Sequence, residues 1–237
     1  MSAAPLPASL AEVLARGDIW RGDTLARLSE SAVPSGYSEL DAELPGGGWP
    51  RGSLTEILVD RSGLGELSLL LPCLARLSEQ GGWLALVAPP WLLHAPAWLR
   101  GGVALERLVV IQAGKSALWC GEQLLVSGGF SGVLVWSGAG MDAKSVRRLQ
   151  VAGEGRSCLT WLLRPVSQAS QPSAAALRLI LAPDESGVSV DILKRRGQPA
   201  SHLISVPVIR PRRLSDALVG PSLSLVGARS AAVTAVT

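Results

Sequence analysis

What most constrains this chain is an alternation that runs from residue 54 to residue 163. Short apolar runs at 54–59, 83–88, 108–112, 132–136 and 157–163 are separated by longer stretches with helical periodicity. The helical stretches lie at 66–79, 93–100 (interrupted by Pro96), 117–127 and 142–152. In the first of them Leu67, Leu70, Leu71, Leu74 and Leu77 form one apolar stripe. Strands alternating with helices need right-handed crossovers, and therefore a mainly parallel sheet. Runs such as G-V-L-V-W and C-L-T-W-L-L are apolar almost throughout rather than at alternate positions, which suits strands covered on both faces. The class is α/β: a mainly parallel, twisted sheet flanked by helices.

On either side of this alternation the pattern changes. Residues 1–30 are rich in Ala, Leu and Pro and predict an arm carrying one or two short helices. Residues 31–53 predict a short helix capped by Ser38 and ending near Leu44, then a Gly- and Pro-rich connector. After Arg164, residues 165–173 read as a polar loop, and 176–182 with 188–194 as an antiparallel hairpin around P-D-E-S-G. A last strand is expected near 203–206, and from 207 to 237 a basic, Pro/Ala/Ser-rich tail. The expected division is thus an arm (1–30), a core (31–206) and a tail (207–237).

Composition narrows the function. At 237 residues, 48% hydrophobic and 17% charged, the chain can bury one good core. Its apolar runs are too short to span a bilayer, and the N-terminus lacks a secretory pattern. Three separated cysteines (Cys73, Cys120, Cys158) suit free thiols in a reducing cytoplasm. With only His94 and His202 beside them, and no C-x-x-C, a zinc site is not expected. No G-x-S-x-G nucleophile turn occurs, and His94, in an apolar Pro-containing segment, is expected to be packed.

The stretch from Leu54 to Leu71 has the outline of a phosphate loop: strand, glycine-bearing turn, helix start. Aligning it to Gly, four residues, then Gly-Lys-Ser/Thr puts Asp60 at the first glycine and Gly65 at the second. Glu66 then stands where lysine belongs and Leu67 where the metal-binding hydroxyl belongs. Lysine supplies positive charge to the phosphates and the hydroxyl holds Mg²⁺, so carboxylates here would repel a triphosphate. Gly63 and Gly65 fit either a tight turn kept for packing or amides that still bind an anion. Glu66 suits the first turn of a helix, where negative charge is favoured.

These elements, in this order, resemble the RecA core over roughly residues 31–206. The lead-in G-Y-S-E-L-D-A-E-L-P-G-G-G-W-P-R-G-S-L-T-E-I (36–57) and V-D-I-L-K-R-R-G (190–197) are similar to RecA-type segments. Against that pattern Trp136 occupies the Walker B position, and Pro90 or its neighbour that of the catalytic glutamate. The resemblance therefore implies no ATPase, no cofactor and no metal. Within the RecA relatives, E-I-L-V-D-R-S-G-L-G-E-L-S-L-L-L-P, G-G-W-L-A-L-V-A-P-P and W-L-L-R-P resemble the ImuA family of SOS-induced translesion-synthesis factors. L-L-L-P-C-L (69–74) and L-L-R-P-V-S (162–167) also resemble SulA, the division inhibitor that binds FtsZ. The Gly-rich lead-in and the long basic C-terminal part favour ImuA.

That resemblance implies a non-catalytic cytoplasmic protein, nucleoid-associated when active, assembling with an ImuB-like inactive Y-family polymerase and an error-prone DnaE-type polymerase. Contact with single-stranded or primer-template DNA and a homo-oligomer are further expectations. Candidate DNA- or partner-binding cations are Lys144, Arg147 and Arg148, Arg164 at the start of the polar loop, Lys194, Arg195 and Arg196, and Arg210, Arg212 and Arg213. Spacing puts Lys144 and Arg148 on one helix face.

Overall fold

The computed structural model describes residues 32–138, 141–197 and 202–208. The expected arm (1–30), nearly all of the tail (207–237), and Arg210, Arg212 and Arg213 lie outside them.

Thirteen strands and α-helices follow the predicted order among the described residues: α1 (Ser38–Glu43), β1 (Leu54–Val59), α2 (Glu66–Glu79), β2 (Leu84–Val87), α3 (Ala95–Arg100), β3 (Leu108–Ile111), α4 (Ala117–Ser127), β4 (Gly132–Trp136), α5 (Ala143–Gly153), β5 (Leu159–Pro165), β6 (Leu177–Pro183), β7 (Val188–Lys194) and β8 (Ile204–Val206). The strands form one eight-stranded sheet in the order β3-β2-β4-β5-β1-β6-β7-β8. From β3 to β6 every pairing is parallel, and β6-β7-β8 is antiparallel. Alternate strand residues face opposite layers. Ile57, Leu86, Leu134 and Trp161 pack with Leu40 of α1, the stripe of α2 and Trp98 of α3. Leu54, Ala85, Val133 and Leu162 pack with Leu125 of α4 and Val146 and Leu149 of α5. Both faces of the central strands are therefore covered, as their unbroken apolar runs require.

The lead-in is pinned to this sheet. Val33 and Trp49 exchange backbone hydrogen bonds of 2.9 and 2.7 Å. The Trp49 ring meets Trp161 edge-on, with centroids 6.0 Å apart. Proline 72 lies inside α2 and has no N–H to give the Ser68 carbonyl. The Tyr37 hydroxyl donates to that carbonyl instead, at 3.1 Å. Burial pushes the Tyr37 phenol above its ordinary value, which keeps the donating proton on the oxygen.

Some local expectations change. Ser38 is the first residue of α1, not its cap; the N-cap is Tyr37, which makes no side-chain capping bond. Pro96 does not interrupt a helix but sits in the first turn of α3, where a missing N–H costs nothing. His94 is the exposed residue preceding α3, not a packed one. The fifth strand starts at Leu159 rather than 157, because the carbonyls of Ser157 and Cys158 are taken by Arg51 and the Gly52 amide. It also runs on through Arg164 and Pro165, which pair with Leu58 and Val59.

Candidate functional site

The C-terminal ends of β1, β4 and β5 converge, and the β1–α2 loop rises beside them. Ligands of open α/β sheets collect at such strand ends. Here the ends border a cleft of about 390 Å³, lined by Asp60, Arg61, Ser62, Trp136 and Ser137 among others. Sequence reasoning brought Asp60, Gly65, Glu66, Leu67 and Trp136 to this region, and the fold gathers them. Asp60 directly follows β1 and is exposed. Gly65 is the N-cap of α2 with φ 114°, and Gly63 has φ +86°, both in the left-handed region that glycine tolerates. Leu67 is half-buried against the core. Trp136 ends β4, and its indole lines the cleft where a metal-binding carboxylate would be expected.

Glu66 carries the main finding. It is only 4% exposed, although it opens a helix beside a cleft. Its carboxylate turns back onto the loop: Oε1 accepts from the Gly63 amide at 2.8 Å and Oε2 from the Gly65 amide at 3.1 Å. The residue in the lysine position thus supplies an anion to the loop amides. Sequence reasoning left open whether those amides bind an anion; they do, and the anion belongs to the chain.

A second buried carboxylate was missed. Glu56, in the middle of β1, is fully buried. Arg164 of β5 donates to its Oε1 at 2.6 Å, and the Arg178 Nε donates to its Oε2. The strands carrying the arginines flank β1 on its two sides. The guanidinium groups also hold the segment after β5 and the residue leading into α5. Arg164 donates to the Met141 carbonyl and to Gln168 Oε1, both at 2.9 Å. Arg178 donates to the carbonyls of Gln168 and Ala169 at 3.1 and 3.3 Å. Two arginines against one glutamate leave an excess of positive charge in the sheet. Lys194, opposite Arg178 on β7, answers to it: burial first, then the Arg178 charge, holds its ammonium below the ordinary lysine value.

The candidate cations separate accordingly. Arg164 is corrected from a loop contact to a buried strand residue, 3% exposed and committed to Glu56. Arg195 is likewise corrected. It pairs with Glu43 at 2.7 Å and donates to the Glu43 carbonyl, clamping the end of α1. Lys194 donates to the Ser173 carbonyl at 2.9 Å. Arg196 is exposed. On α5, Lys144, Arg147 and Arg148 are all exposed, and Arg148 also pairs with Glu122 of α4 at 2.6 Å. Asp142 caps this helix through a 2.9 Å bond from the Ser145 amide.

Burial pushes the Cys73 and Cys158 thiols up to about 12, so neither is poised as a nucleophile; Cys120 is half-buried. No helix among the described residues is long and apolar enough to cross a membrane.

The strand order, the loop after β1 and the helices on both faces define a RecA-like α/β protein. The comparisons agree. The chain is 32% identical over 175 residues to the protein RecA of Symbiobacterium thermophilum, covering 72% of this chain and 48% of that one. To the RecA of Francisella tularensis subsp. novicida it is 32% identical over 167 residues, covering 69% and 45%. The chain spans about half the length of the RecA proteins it matches. The MT3502 N-terminal domain family matches residues 42–185, and the chain belongs to that family.

Proposed function

We propose that this chain is a non-catalytic RecA-like accessory factor in DNA-damage-induced translesion synthesis and mutagenesis. It acts in the cytoplasm, at the nucleoid, by assembling with an ImuB-like inactive Y-family polymerase and an error-prone DnaE-type polymerase. The observation that carries the reading is the Glu66 carboxylate seated on the amides of Gly63 and Gly65, where a phosphate loop would hold phosphate. Trp136 at the end of β4 supports it, because an indole offers no oxygen to a metal. A RecA-like scaffold with neither a lysine to grip phosphate nor a carboxylate to hold a metal has surfaces to offer rather than turnover. The segments resembling the ImuA family, 56–72, 81–90 and 161–165, supply the partner identity.

Two measurements test this. The purified full chain is expected to show no heat of ATP binding and to capture the inactive Y-family polymerase in a pull-down. ATP hydrolysis by the chain would overturn the non-catalytic half. Loss of the basic tail, 207–237, is expected to weaken capture, and undiminished capture would reject its role as a tether. Filamentation on overexpression, with damage-induced mutation unchanged, would replace the reading by a SulA-like one.

For DNA, the exposed Lys144 and Arg147 on α5 are the leading contacts. Replacing both with alanine is expected to weaken single-strand binding uniformly across sequences. The slope of log affinity against log salt should fall by about 1–2. An unchanged slope would remove α5 from the DNA face.

A further inference from the structure

We propose that Glu66 is the resident anion of the β1–α2 loop: its carboxylate holds the loop in its phosphate-binding shape and, by sitting there, keeps phosphate out. The pattern of bonds separates this from ordinary helix capping. A capping carboxylate three residues into a helix reaches back to the N-cap amide alone. Glu66 is instead the first residue of α2, and its two oxygens divide between Gly65, the N-cap, and Gly63, two residues further back in the loop. The bonds therefore shape the loop rather than close the helix. Gly65 has no side chain with which to do either.

Two further observations make the carboxylate a stand-in for an external anion. It comes from the position where a phosphate loop carries lysine, so one residue type removes the cation and supplies the anion at once. The loop also borders two cavities that share Trp136: Asp60, Arg61 and Ser62 line the cleft, and Glu66 itself lines a second cavity of about 230 Å³ with Leu67, Ser68 and Pro90, so a vacated seat opens onto it. A carboxylate and a phosphate oxygen ask the same of two amides, and a tethered anion wins because its effective concentration is high.

The experiment uses the full chain as wild type, Glu66→Ala and Glu66→Gln. Each is followed by thermal unfolding and by amide hydrogen exchange at Gly63 and Gly65, in sodium phosphate and in sodium chloride of matched ionic strength. In Glu66→Ala both amides are expected to exchange about ten-fold faster. Phosphate, but not chloride, should restore protection and raise the midpoint by about 3 °C at saturating concentration. Wild type should show neither response. A folded Glu66→Ala that ignores phosphate, or a wild type that responds as strongly, overturns the proposal.

If Glu66→Ala does not fold, Glu66→Gln decides. Its single amide oxygen can serve one of the two donors, so exchange should rise at one glycine, and unchanged protection at both sinks the idea. The inference rests on the same carboxylate as the proposed function and deepens that reading, yet the two fail separately. Failure to capture a polymerase leaves it standing, and a phosphate-indifferent Glu66→Ala leaves the accessory role standing.

Discussion

Two buried glutamates lie on the same strand–loop–helix unit, and the protein keeps them by opposite means. Glu56 sits mid-strand, where β1 has already committed its own amides to the sheet ladder, so only side chains from the neighbouring strands can reach it. It is held by two guanidinium groups. Glu66 sits where the backbone turns and leaves amides unspent, and it is held by peptide dipoles with no cation in the bonding set. The difference teaches where each device belongs. Full counter-charges are needed inside a sheet, whereas a loop of positive-φ glycines can hold an anion without them.

The sharpest way to break the comparison is to neutralise the glutamate that depends on charges. Glu56→Gln leaves two buried guanidinium groups facing one another with no anion, and should cost about 4 kcal/mol in denaturant unfolding. Removing one arginine should cost less, about 2 kcal/mol for Arg178→Met, because the remaining pair is then neutral. If Arg178→Met is the more damaging of the two, excess positive charge is not what the sheet resists. The same variant should let the Lys194 ammonium titrate closer to its ordinary value, but only part of the way, since burial is the larger cause of its shift.

Glu66→Gln comes next, at about 1–2 kcal/mol, the cost of one charge-assisted bond to a backbone amide and an amide group facing another donor. A loss as large as that of Glu56→Gln would mean that the two carboxylates are held alike after all.

How much of this the sequence disclosed depends on the range of the interaction. Periodicity placed all eight strands, because the apolar runs themselves do the packing, and α4, β4 and β7 fall at the expected bounds. Motif alignment also found the loop, since its glycines, Asp60 and Glu66 are local in the chain. It gave the charge at position 66 but not the direction in which the side chain turns. Glu56 was illegible for a different reason. It is one acid in an apolar run, and its partners lie 108 and 122 residues away. Arg164 was misplaced by the same blindness: a charged residue before a proline looks like the start of a loop until its counter-ion is known. Arg195 likewise looked solvent-directed beside Lys194 and Arg196, and only the fold, which brings the residue after β7 to the end of α1, shows that it closes on Glu43.

Asp142 supplies the smallest test, because it too is a carboxylate held by a backbone amide, here as the ordinary forward N-cap of a helix and without burial. Its carboxylate accepts from the Ser145 amide at the start of α5, yet it is exposed. The Ser145 side chain and then the Ser145 amide hold its carboxyl below the ordinary aspartate value. A folded-state value below the unfolded one means that the carboxylate stabilises the fold above the unfolded value, near 4. That contribution fades as pH falls through the folded value. Asp142→Ala should therefore lower the thermal midpoint slightly at neutral pH, and the gap from wild type should close under acid conditions. Asp142→Asn, which keeps an acceptor oxygen, should recover most of the midpoint while losing the pH dependence. If Asp142→Asn is as impaired as the alanine variant, the charge rather than the acceptor matters at an exposed amide. Peptide dipoles alone would then be too weak an account of how Glu66 is held.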